Sequence, residues 1–457
     1  MTSTGFAPLA SVVRTVALAS GFLLAFAGLS PAADVTTAGA NSAPATYAKD
    51  VFPIFEQRCN ECHHPGTAAP MSLTNYDEAR PWAKSIKQEV VRRNMPPWHL
   101  DKNVGIQGFA NDRSLSDDQI NTIVRWVDAG APLGDKKDMQ TAIQWKDGND
   151  WETVKALGRQ PDAVVKSVDF TMPAHGQDLW WKPVSSLGVT EQRWVRAVEI
   201  RPGSPKSRRI MHHVRADLIV QDAPNQRGGN ESALMEWAIG KQNDIYRDGA
   251  GKLLEPGAAI RWELHLHSIG QEITDHVEIG IWYYPKGQEP SHKTVLIGFQ
   301  AMENQNLDIA PNTIAETSHV TLLKTAARLE NFQPHMHLRG KAMLMEAILP
   351  DGTTRTLSYV DHFNFNWMNN YIYADDDAPV LPKGTMIKVT AWHDNTDNNK
   401  GNPDPAKWVG YGDRTVDEMA HAWVNVTNIS DAEYNDWAAK HQNSDLVVKA
   451  DSGRRPF

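Results

Sequence analysis

Two histidines placed two residues apart, His335 and His337, are the first candidates for chemistry in this sequence. Side chains on a β-strand alternate between its faces, so both imidazoles would leave the same face of a strand. The preceding residues 329–332 show no helical pattern, and Gly340 offers a turn just after the pair. Imidazole binds zinc, copper, iron and nickel. The pair therefore indicates half of a metal site, although ordinary surface histidines on a strand have the same pattern.

Two further stretches add histidines, and a third adds a thioether. His212 and His213 are adjacent, His265 and His267 form a second His-x-His pair, and Met419 follows an Asp-Glu pair. Several histidines with one methionine favour copper, because thioether is a soft ligand that holds Cu(I) and is rarely used by zinc. Adjacent residues of a regular strand point to opposite faces. His212 and His213 could therefore bind one metal only if a bulge or a strong local twist lies there.

The chain has two cysteines, Cys59 and Cys62, and His63 follows them directly. This C-x-x-C-H spacing is the signature of c-type haem attachment. Two thiols one helical turn apart add to the two haem vinyl groups, and the next residue presents its imidazole to the iron. A local disulfide or two unmodified thiols are the alternatives.

Met95 is the predicted second axial ligand of the haem iron. Two prolines follow it and favour an extended loop that would hold the thioether in place. His99 and Met71 are the alternatives. Ligation by histidine and methionine raises the haem potential and suits electron transfer.

A helix is predicted after Ser116, which is a suitable N-cap, and Gly130 can end it. Four apolar residues at helical spacing form its predicted buried stripe: Ile120, Ile123, Val124 and Val127. Residues 47–135 resemble the class I c-type cytochromes, which implies a small all-α domain with one covalent haem c.

From about residue 161 to about residue 430, short apolar alternations are separated by Gly, Pro, Asn and Asp. The segments 194–200, 277–284 and 386–392 show the pattern most clearly. They predict β-strands of sandwich domains. A stretch of about 270 residues is long for one sandwich and suits two.

Composition restricts the class of protein. The 457 residues are 41% hydrophobic and 22% charged, which is typical of globular rather than disordered chains. A net charge of −9 gives no reason to expect nucleic acid or anionic membrane as a partner. Two cysteines cannot form the disulfide framework of many exported proteins.

The amino terminus resembles a signal peptide. Arg14 precedes an apolar run at 16–29, and small residues at 30–33 offer a cleavage site. An uncleaved anchor is the alternative, but the run is shorter than the ~20 residues that span a bilayer. We therefore expect a periplasmic or secreted protein without a membrane span in the mature chain. The predicted divisions are a signal peptide 1–33, a flexible leader 34–46, a cytochrome domain 47–135, a linker 136–160, sandwiches 161–305 and 306–430, and a tail 431–457.

The order of the motifs resembles that of the copper type II, ascorbate-dependent monooxygenases, which include peptidylglycine α-hydroxylating monooxygenase and dopamine β-monooxygenase. The resemblance implies two antiparallel, jelly-roll-like sandwiches that meet near residue 305, each holding one copper, across a solvent-filled cleft. The implied ligands are His212, His213 and His267 for the electron-transfer copper, and His335, His337 and Met419 for the copper that binds O2.

The sequence departs from this family at several positions. It lacks the disulfides of the animal enzymes, and Gln333 stands where the peptidylglycine enzyme has a substrate-binding Arg. His421 and Trp423 replace its Asn and Tyr, so peptidylglycine is not the expected substrate. His265 stands where that enzyme has a Gln and is a supporting residue, a spare ligand or a surface histidine. His421 supports the site, faces the substrate or simply packs.

Together, the haem motif and the family resemblance predict an exported monooxygenase that hydroxylates a C–H bond of a small organic substrate with O2. Electrons would pass from a periplasmic donor to the haem, then to the three-histidine copper, then to the O2-binding copper. Three alternatives remain open. They are a non-catalytic haem and copper protein, a zinc hydrolase at His335 and His337, and a binding module that uses haem for docking or sensing.

Overall fold

The computed structural model describes residues 44–67, 69–145, 150–220, 233–241 and 243–441. The predicted signal peptide, most of the leader and the end of the tail lie outside these residues. Among the described residues the body is mostly β-sheet with a few short helices. No helix in these ranges is long and apolar enough to cross a membrane.

The helices lie mainly near the amino terminus. Within the described ranges they are α1 (Phe52–Arg58), α2 (Tyr76–Ala79), α3 (Ala83–Val91), α4 (Asp117–Asp128), α5 (Thr153–Leu157) and α6 (Asp431–Lys440). A π-helical turn, Tyr47–Val51, precedes α1, and 3-10 turns lie at Arg80–Trp82, Lys136–Asp138 and Ser207–Arg209.

The strands in the described ranges are β1 (Leu100–Gly105), β2 (Ala163–Lys166), β3 (Phe170–Met172), β4 (Leu179–Trp181), β5 (Val184–Ser186), β6 (Arg193–Pro202), β7 (Met211–Val220), β8 (Ala233–Ala238), β9 (Asn243–Ile245), β10 (Ala250–Leu254), β11 (Ala258–Leu266), β12 (Ile273–Asp275), β13 (Val277–Tyr283), β14 (His292–Gln300), β15 (Asp308–Ile309), β16 (Ile314–Leu322), β17 (Ala327–Leu329), β18 (Asn331–Met336), β19 (Gly340–Ile348), β20 (Thr354–Val360), β21 (Tyr371–Ile372), β22 (Val380–Leu381), β23 (Met386–Asp394), β24 (Val409–Gly410) and β25 (Ala420–Asn428). The three strands predicted most clearly from sequence are present as β6, β13 and β23.

The helix predicted after Ser116 is present as α4. The Ser116 hydroxyl accepts a hydrogen bond from the Gln119 backbone N–H, and the Gln119 side chain accepts one from the Ser116 backbone in return. This capping box satisfies two free N–H groups at the start of the helix. Ile120 and Ile123 are buried as predicted, but the third buried member is Trp126. Val124 and Val127 are only partly buried. The α4 face packs against aromatic side chains of the first turns, including Tyr47 and Phe55.

The segment between α3 and α4 packs against strands of the carboxyl-terminal half. β1 pairs antiparallel with β20, and Trp98 packs edge-on against Tyr371 at 4.7 Å between ring centroids. Trp98 and Leu100 belong to the same hydrophobic core as β18, β19 and β25. The predicted cytochrome region 47–135 therefore contributes one strand to a β-sheet of the carboxyl-terminal half.

Each half of the β body is a two-layer sandwich around its own core. In the first half, the sheet β4–β11–β7–β8 faces the strands β2–β13–β6–β10. In the second half, the sheet β1–β20–β19–β23–β16 faces β14–β25–β17–β22, with β18 paired to β25. Alternation along the strands gives each sheet a core face and an outer face.

A single sheet connects the two halves. β10 of the first half pairs in parallel with β14, and β14 pairs along its length with β25 of the second half. At the joint, a Cβ on Gly251 would lie 2.6 Å from the backbone oxygen of Val195. Only glycine allows β10 to approach β6 this closely. β14 lies before the predicted boundary at 305, yet its side chains Val295 and Phe299 belong to the second core.

Candidate metal centre

A β-bulge places His212 and His213 on the same side of β7. His213 pairs with His265 of β11, but the next pair along the ladder is Met211 with Leu266, so His212 is the extra residue. The two Nδ1 atoms lie 3.2 Å apart. The bulge that adjacent histidines require for a shared metal is confirmed.

His212, His213 and His265 form one group whose ligand atoms all lie within 4.8 Å of one another. Two imidazole nitrogens bound tetrahedrally at about 2.0 Å from a metal lie about 3.3 Å apart, close to the spacing of the Nδ1 pair. The group can hold a metal ion, and three imidazoles are compatible with copper. His265 is the third member, whereas the family resemblance implied His267. His267 follows the end of β11 and is not a member of this group.

Asp178 orients His265. The His265 Nε2–H donates to the Asp178 carboxylate at 2.9 Å, and burial leaves only 1% of His265 exposed. Its Nδ1 has no hydrogen-bond partner among the described residues. A carboxylate on one ring nitrogen and a free lone pair on the other is the usual arrangement of a metal-binding histidine. Thr415 of the second half donates to the same carboxylate at 2.7 Å, and the His265 hydrogen bond lowers the pKa of Asp178 to about 2.

Trp180 packs on this group. Its ring stacks on the His265 ring with centroids 4.2 Å apart and meets the His213 ring edge-on at 5.2 Å. An aromatic ring against two imidazoles limits their rotation and keeps water from one side of the group. The sequence alone gave no reason to connect Asp178 or Trp180 with the histidines.

A second group lies on paired strands of the second half. His335 of β18 is directly opposite His421 of β25, and the two rings stack with centroids 4.7 Å apart. Met336 and Ala420, the next pair, point into the second core. The same register, continued by one pair, sets Met419 opposite His337 on the face that carries His335.

Buried ring nitrogens without partners mark this group as well. The His337 Nδ1–H donates to the Asp417 carbonyl at 3.1 Å, so the lone pair lies on Nε2. Among the described residues, His337 Nε2, His335 Nδ1 and His421 Nε2 lack hydrogen-bond partners, although all three side chains are buried. Such unsatisfied buried nitrogens are costly unless a ligand or an ion satisfies them. They are the observation by which this group fits a metal, while the ligand role of Met419 stays a prediction.

The chain before Met419 supports the second group. The Glu418 carboxylate accepts backbone hydrogen bonds from His337 at 2.9 Å and from Arg339 at 2.6 Å, and burial raises its pKa to about 8. His393 donates from Nε2 to the Met419 carbonyl at 3.1 Å. The turn around Met419 is therefore fixed to the turn that carries His337.

The two groups are in contact. The rings of His213 and His335 meet edge-on with centroids 5.4 Å apart. Phe365 lies between the groups as well, stacked on His212 at 4.3 Å and edge-on to His337 at 6.3 Å. The family resemblance implied two coppers facing each other across a solvent-filled cleft, but here imidazoles of the two halves touch.

Burial keeps the imidazoles neutral. It lowers the pKa of His212 to about 3, of His337 to about 4 and of His421 to about 3, and it holds those of His213 and His335 well below the ordinary value. The neighbouring histidines lower these pKa values further. Each of these five rings thus has a lone pair at neutral pH, which metal binding requires.

The C-x-x-C-H segment has a geometry suited to haem. Cys59 and Cys62 are free, half-buried thiols separated by one turn, and the Cys62 N–H donates to the Cys59 carbonyl at 3.1 Å. The His63 Nδ1–H donates to the Met71 carbonyl at 3.1 Å, which leaves Nε2 for an iron atom. Met95, half-buried after α3, stays the predicted second axial ligand. Of the alternatives, Met71 is used through its carbonyl, and the backbone N–H of His99 donates to Tyr371 of the second half.

Arg208 relates the haem motif to the first histidine group. Burial raises the pKa of the Cys62 thiol, and the nearby guanidinium groups of Arg113 and Arg208 partly oppose the rise. Arg208 lies in the 3-10 turn Ser207–Arg209, which leads directly into β7. Arg208 precedes His212 by four residues in the chain.

No family model matches this sequence, and no curated protein matches it. Among solved structures, the chain is similar to N-glycanase F, with a TM-score of 0.30 and 8% identity over 59% of this chain and 96% of that chain. It is similar to a peptide-N(4)-(N-acetyl-β-D-glucosaminyl) asparagine amidase at 0.31 and 9% over the same shares. The major capsid protein P2 of bacteriophage PM2 is similar at 0.24 and 11%, over 57% and 97%. These remote likenesses carry no information about the site.

Proposed function

We propose that the protein is an exported copper-dependent monooxygenase that hydroxylates a C–H bond of a small organic substrate with O2. Its electrons would come from a c-type haem on the same chain. The proposal depends on one observation above all. Two groups of largely buried imidazoles, each with ring nitrogens that lack partners among the described residues, touch each other in a chain that also carries a C-x-x-C-H segment.

When bound, the two coppers would supply O2 binding and one-electron chemistry, and the haem would supply single electrons. His212, His213 and His265 would hold the first copper. Asp178 would keep the His265 ring in the orientation and tautomer that leave Nδ1 free. We place His265 in this set instead of His267 because His265 belongs to the group that the bulge assembles.

His335, His337 and Met419 would hold the second copper. The Asp417 carbonyl fixes the His337 tautomer, and Glu418 fixes the backbone of the turn. A thioether beside two imidazoles favours Cu(I), the state that reacts with O2. The order of these residues also resembles that of the copper type II monooxygenases, which supports the same assignment.

Cys59 and Cys62 would attach the haem, and His63 would ligate its iron through Nε2. The electrostatic influence of Arg208 on Cys62 supports a haem position on the side of the chain that leads into β7. A one-electron donor of the periplasm or medium would reduce the haem first. This order of transfer accounts for the presence of a haem motif and two histidine groups in one exported chain.

The first test is the content of copper and haem in the purified full-length chain. Metal analysis gives the copper content, and the pyridine haemochrome spectrum gives the haem content. We expect two coppers and one covalent haem per chain. The His335→Ala variant should lose one copper and keep the other. Two zinc ions in place of copper would contradict the proposal and favour hydrolytic chemistry.

The second test is stopped-flow mixing of the fully reduced protein with O2 and a panel of small organic substrates. We expect haem oxidation and hydroxylated product to appear together. If the haem stays reduced while product forms, its role as donor is wrong. If no substrate yields product, the oxygenase proposal fails.

A second candidate is a haem and copper electron-transfer protein without catalysis. It is favoured by the burial of the histidines, since His337 is 0% exposed and His335 is 2% exposed. Such burial limits access for an organic substrate. Rapid electron exchange between haem and copper without O2 consumption would select this candidate.

A further inference from the structure

A cluster of buried charged groups lies where the two halves meet. Glu236 of β8 is 1% exposed and Lys241 is 2% exposed, and Lys241 forms an ion pair with the buried Asp244 at 3.1 Å. Lys252 is also buried and donates to two carbonyls of β8. Burying charges is costly, and a hydrophobic cluster of the same shape would often be more stable. The proposed copper chemistry described above uses none of these groups.

Glu236 is the member of the cluster that faces the second half. Gln333 of β18 donates from Nε2 to one oxygen of its carboxyl group. The other oxygen, Oε1, has no hydrogen-bond partner in the described part of the chain, and neither does Gln333 Oε1. Two adjacent buried acceptors can be satisfied by one bridging water, which needs two or more polar partners.

The strand registers set Glu236 beside both histidine groups. Glu236 pairs with Arg215, which lies two residues after His213 on the same face of β7. Its partner Gln333 lies two residues before His335 on the same face of β18. The carboxyl group thus lies at the contact between the halves, within one strand period of a proposed ligand on each side.

The charges that face Glu236 come from every element around it. Arg215 faces it from β7, Lys241 and Asp244 face it from its own half, and β18 presents the neutral Gln333. Burial raises the pKa of Glu236 to about 7, Lys241 and the Gln333 hydrogen bond oppose the rise, and Asp244 adds to it. Glu236 can therefore gain or lose a proton near neutral pH at little cost.

We propose that Glu236 supplies protons to the histidine groups when the coppers are reduced. The inference rests on the proposed function, since hydroxylation consumes protons as well as electrons. One C–H bond and one O2 take two electrons from the haem donor and two protons, and they yield one alcohol and one water. The C–H hydrogen stays in the products, and the two protons must reach groups that are largely buried. Glu236 takes up each proton and delivers it across the Gln333 side of the contact.

The test is the midpoint potential of copper in the full-length, copper-loaded protein, measured by anaerobic redox titration across the neutral pH range. Reduction removes positive charge near Glu236 and so favours its protonated form. We expect the potential of the wild-type protein to fall as pH rises. In Glu236→Gln the potential should depend on pH less steeply across the same range, because Glu418, whose pKa is about 8, remains. The amide keeps an acceptor for Gln333, so the fold should be retained, which circular dichroism and copper content would verify.

The matched control is Glu263→Gln. Glu263 of β11 and Glu236 of β8 are both paired with Arg215 in the same sheet, but the Glu263 carboxylate forms ion pairs with Arg215 and Lys182. It should keep the pH dependence of the wild-type protein. Glu236→Asp, which retains a carboxyl group, should restore part of that dependence.

The outcomes separate this inference from the proposed function. A pH dependence unchanged in Glu236→Gln, or absent from the wild-type protein, overturns the role of Glu236 even if hydroxylation proceeds. A pH dependence that is weaker in Glu236→Gln but unchanged in Glu263→Gln supports that role. It does so even if no substrate is hydroxylated, in which case only the oxygenase proposal fails. A wild-type protein that binds no copper overturns both.

Discussion

The first histidine group and the second both lie on paired antiparallel strands, but they arrange their ring nitrogens differently. On β7 and β11 a bulge turns His212 toward His213 and His265, and the three rings meet at steep angles around one point. On β18 and β25 the ladder is regular, and His335 lies parallel to His421 with an interplanar angle of 15°.

The difference shows what a β-ladder can and cannot do for a metal. A regular pair of strands stacks facing side chains, so that ring planes run side by side and lone pairs do not converge. Convergence needs either an extra residue in one strand or donors from the turns beyond the strand ends. The first group uses the extra residue, whereas the second has His337 and Met419 just beyond the paired positions.

The strongest test of this comparison is His213→Ala, because this ring touches members of both groups. We expect the first copper to bind more than about 100-fold more weakly, since removal of a ligand exceeds the effect of a supporting residue. Copper affinity against a competing chelator measures it. His319→Ala on β16, a histidine outside both groups, is the control. An unchanged copper affinity in His213→Ala would show that the histidines at the bulge do not bind the metal.

Glu236→Gln tests whether the contact between the groups carries a buried charge. The raised folded-state pKa means that the wild-type protein loses stability as pH rises from the unfolded value of about 4.5 through about 7. From about pH 5 to about pH 8, the free energy of unfolding of the metal-free wild type should fall by about 2 to 3 kcal/mol relative to Glu236→Gln. Denaturant unfolding of both proteins at each pH measures this difference. Parallel pH profiles would show that Glu236 ionises in the folded state as it does in the unfolded chain.

Asp178→Asn tests how far the first group depends on its supporting carboxylate. The amide can still contact His265 but no longer favours the Nε2–H tautomer. We expect copper affinity to fall about 10- to 100-fold. Thr415→Val removes the hydrogen bond from the second half to Asp178 and a longer contact with His265 Nε2, but keeps the carboxylate, and should have a smaller effect. Equal losses in the two variants would indicate that the contact between halves, not the charge, positions His265.

Met419→Leu tests the less converged second group and has the smallest expected effect. Leucine keeps the volume of the side chain but removes the sulfur atom. We expect about tenfold weaker retention of the second copper after reduction, with little change while it is oxidised, because thioether favours Cu(I). X-ray absorption of the reduced protein follows the sulfur ligand directly. If His421→Ala loses the second copper and Met419→Leu does not, the third ligand is His421.

Local patterns predicted the strands and α4 because capping and alternation are encoded within a few residues. The bulge at His212 was also predictable, since two adjacent histidines cannot otherwise share a metal. The choice between His265 and His267 was not, because it depends on which residue of β11 pairs with His213. Register is a property of two distant segments, and the sequence at the end of β11 offers both histidines without distinguishing them.

Contacts between distant segments were likewise outside the reach of sequence patterns. Asp178 and Thr415 are separated by more than half of the chain, and nothing local connects them to His265. The insertion of β1 into the second sandwich interrupts a region whose flanking helices resemble one domain. The pattern of apolar side chains predicts which face of a helix or strand is buried, but not which other element packs against that face.

The parallel pair of β10 and β14 joins the two sandwiches through one continuous hydrogen-bonded sheet. A cut between β13 and β14 that removed either half would leave β10 or β14 without its partner, as a bare strand edge prone to aggregation. A methyl group at Gly251 would clash with the backbone oxygen of Val195 and force β10 away from β6. Gly251 is itself a member of the parallel pair, opposite Lys293 of β14, so a residue without a side chain lies where the two sandwiches join.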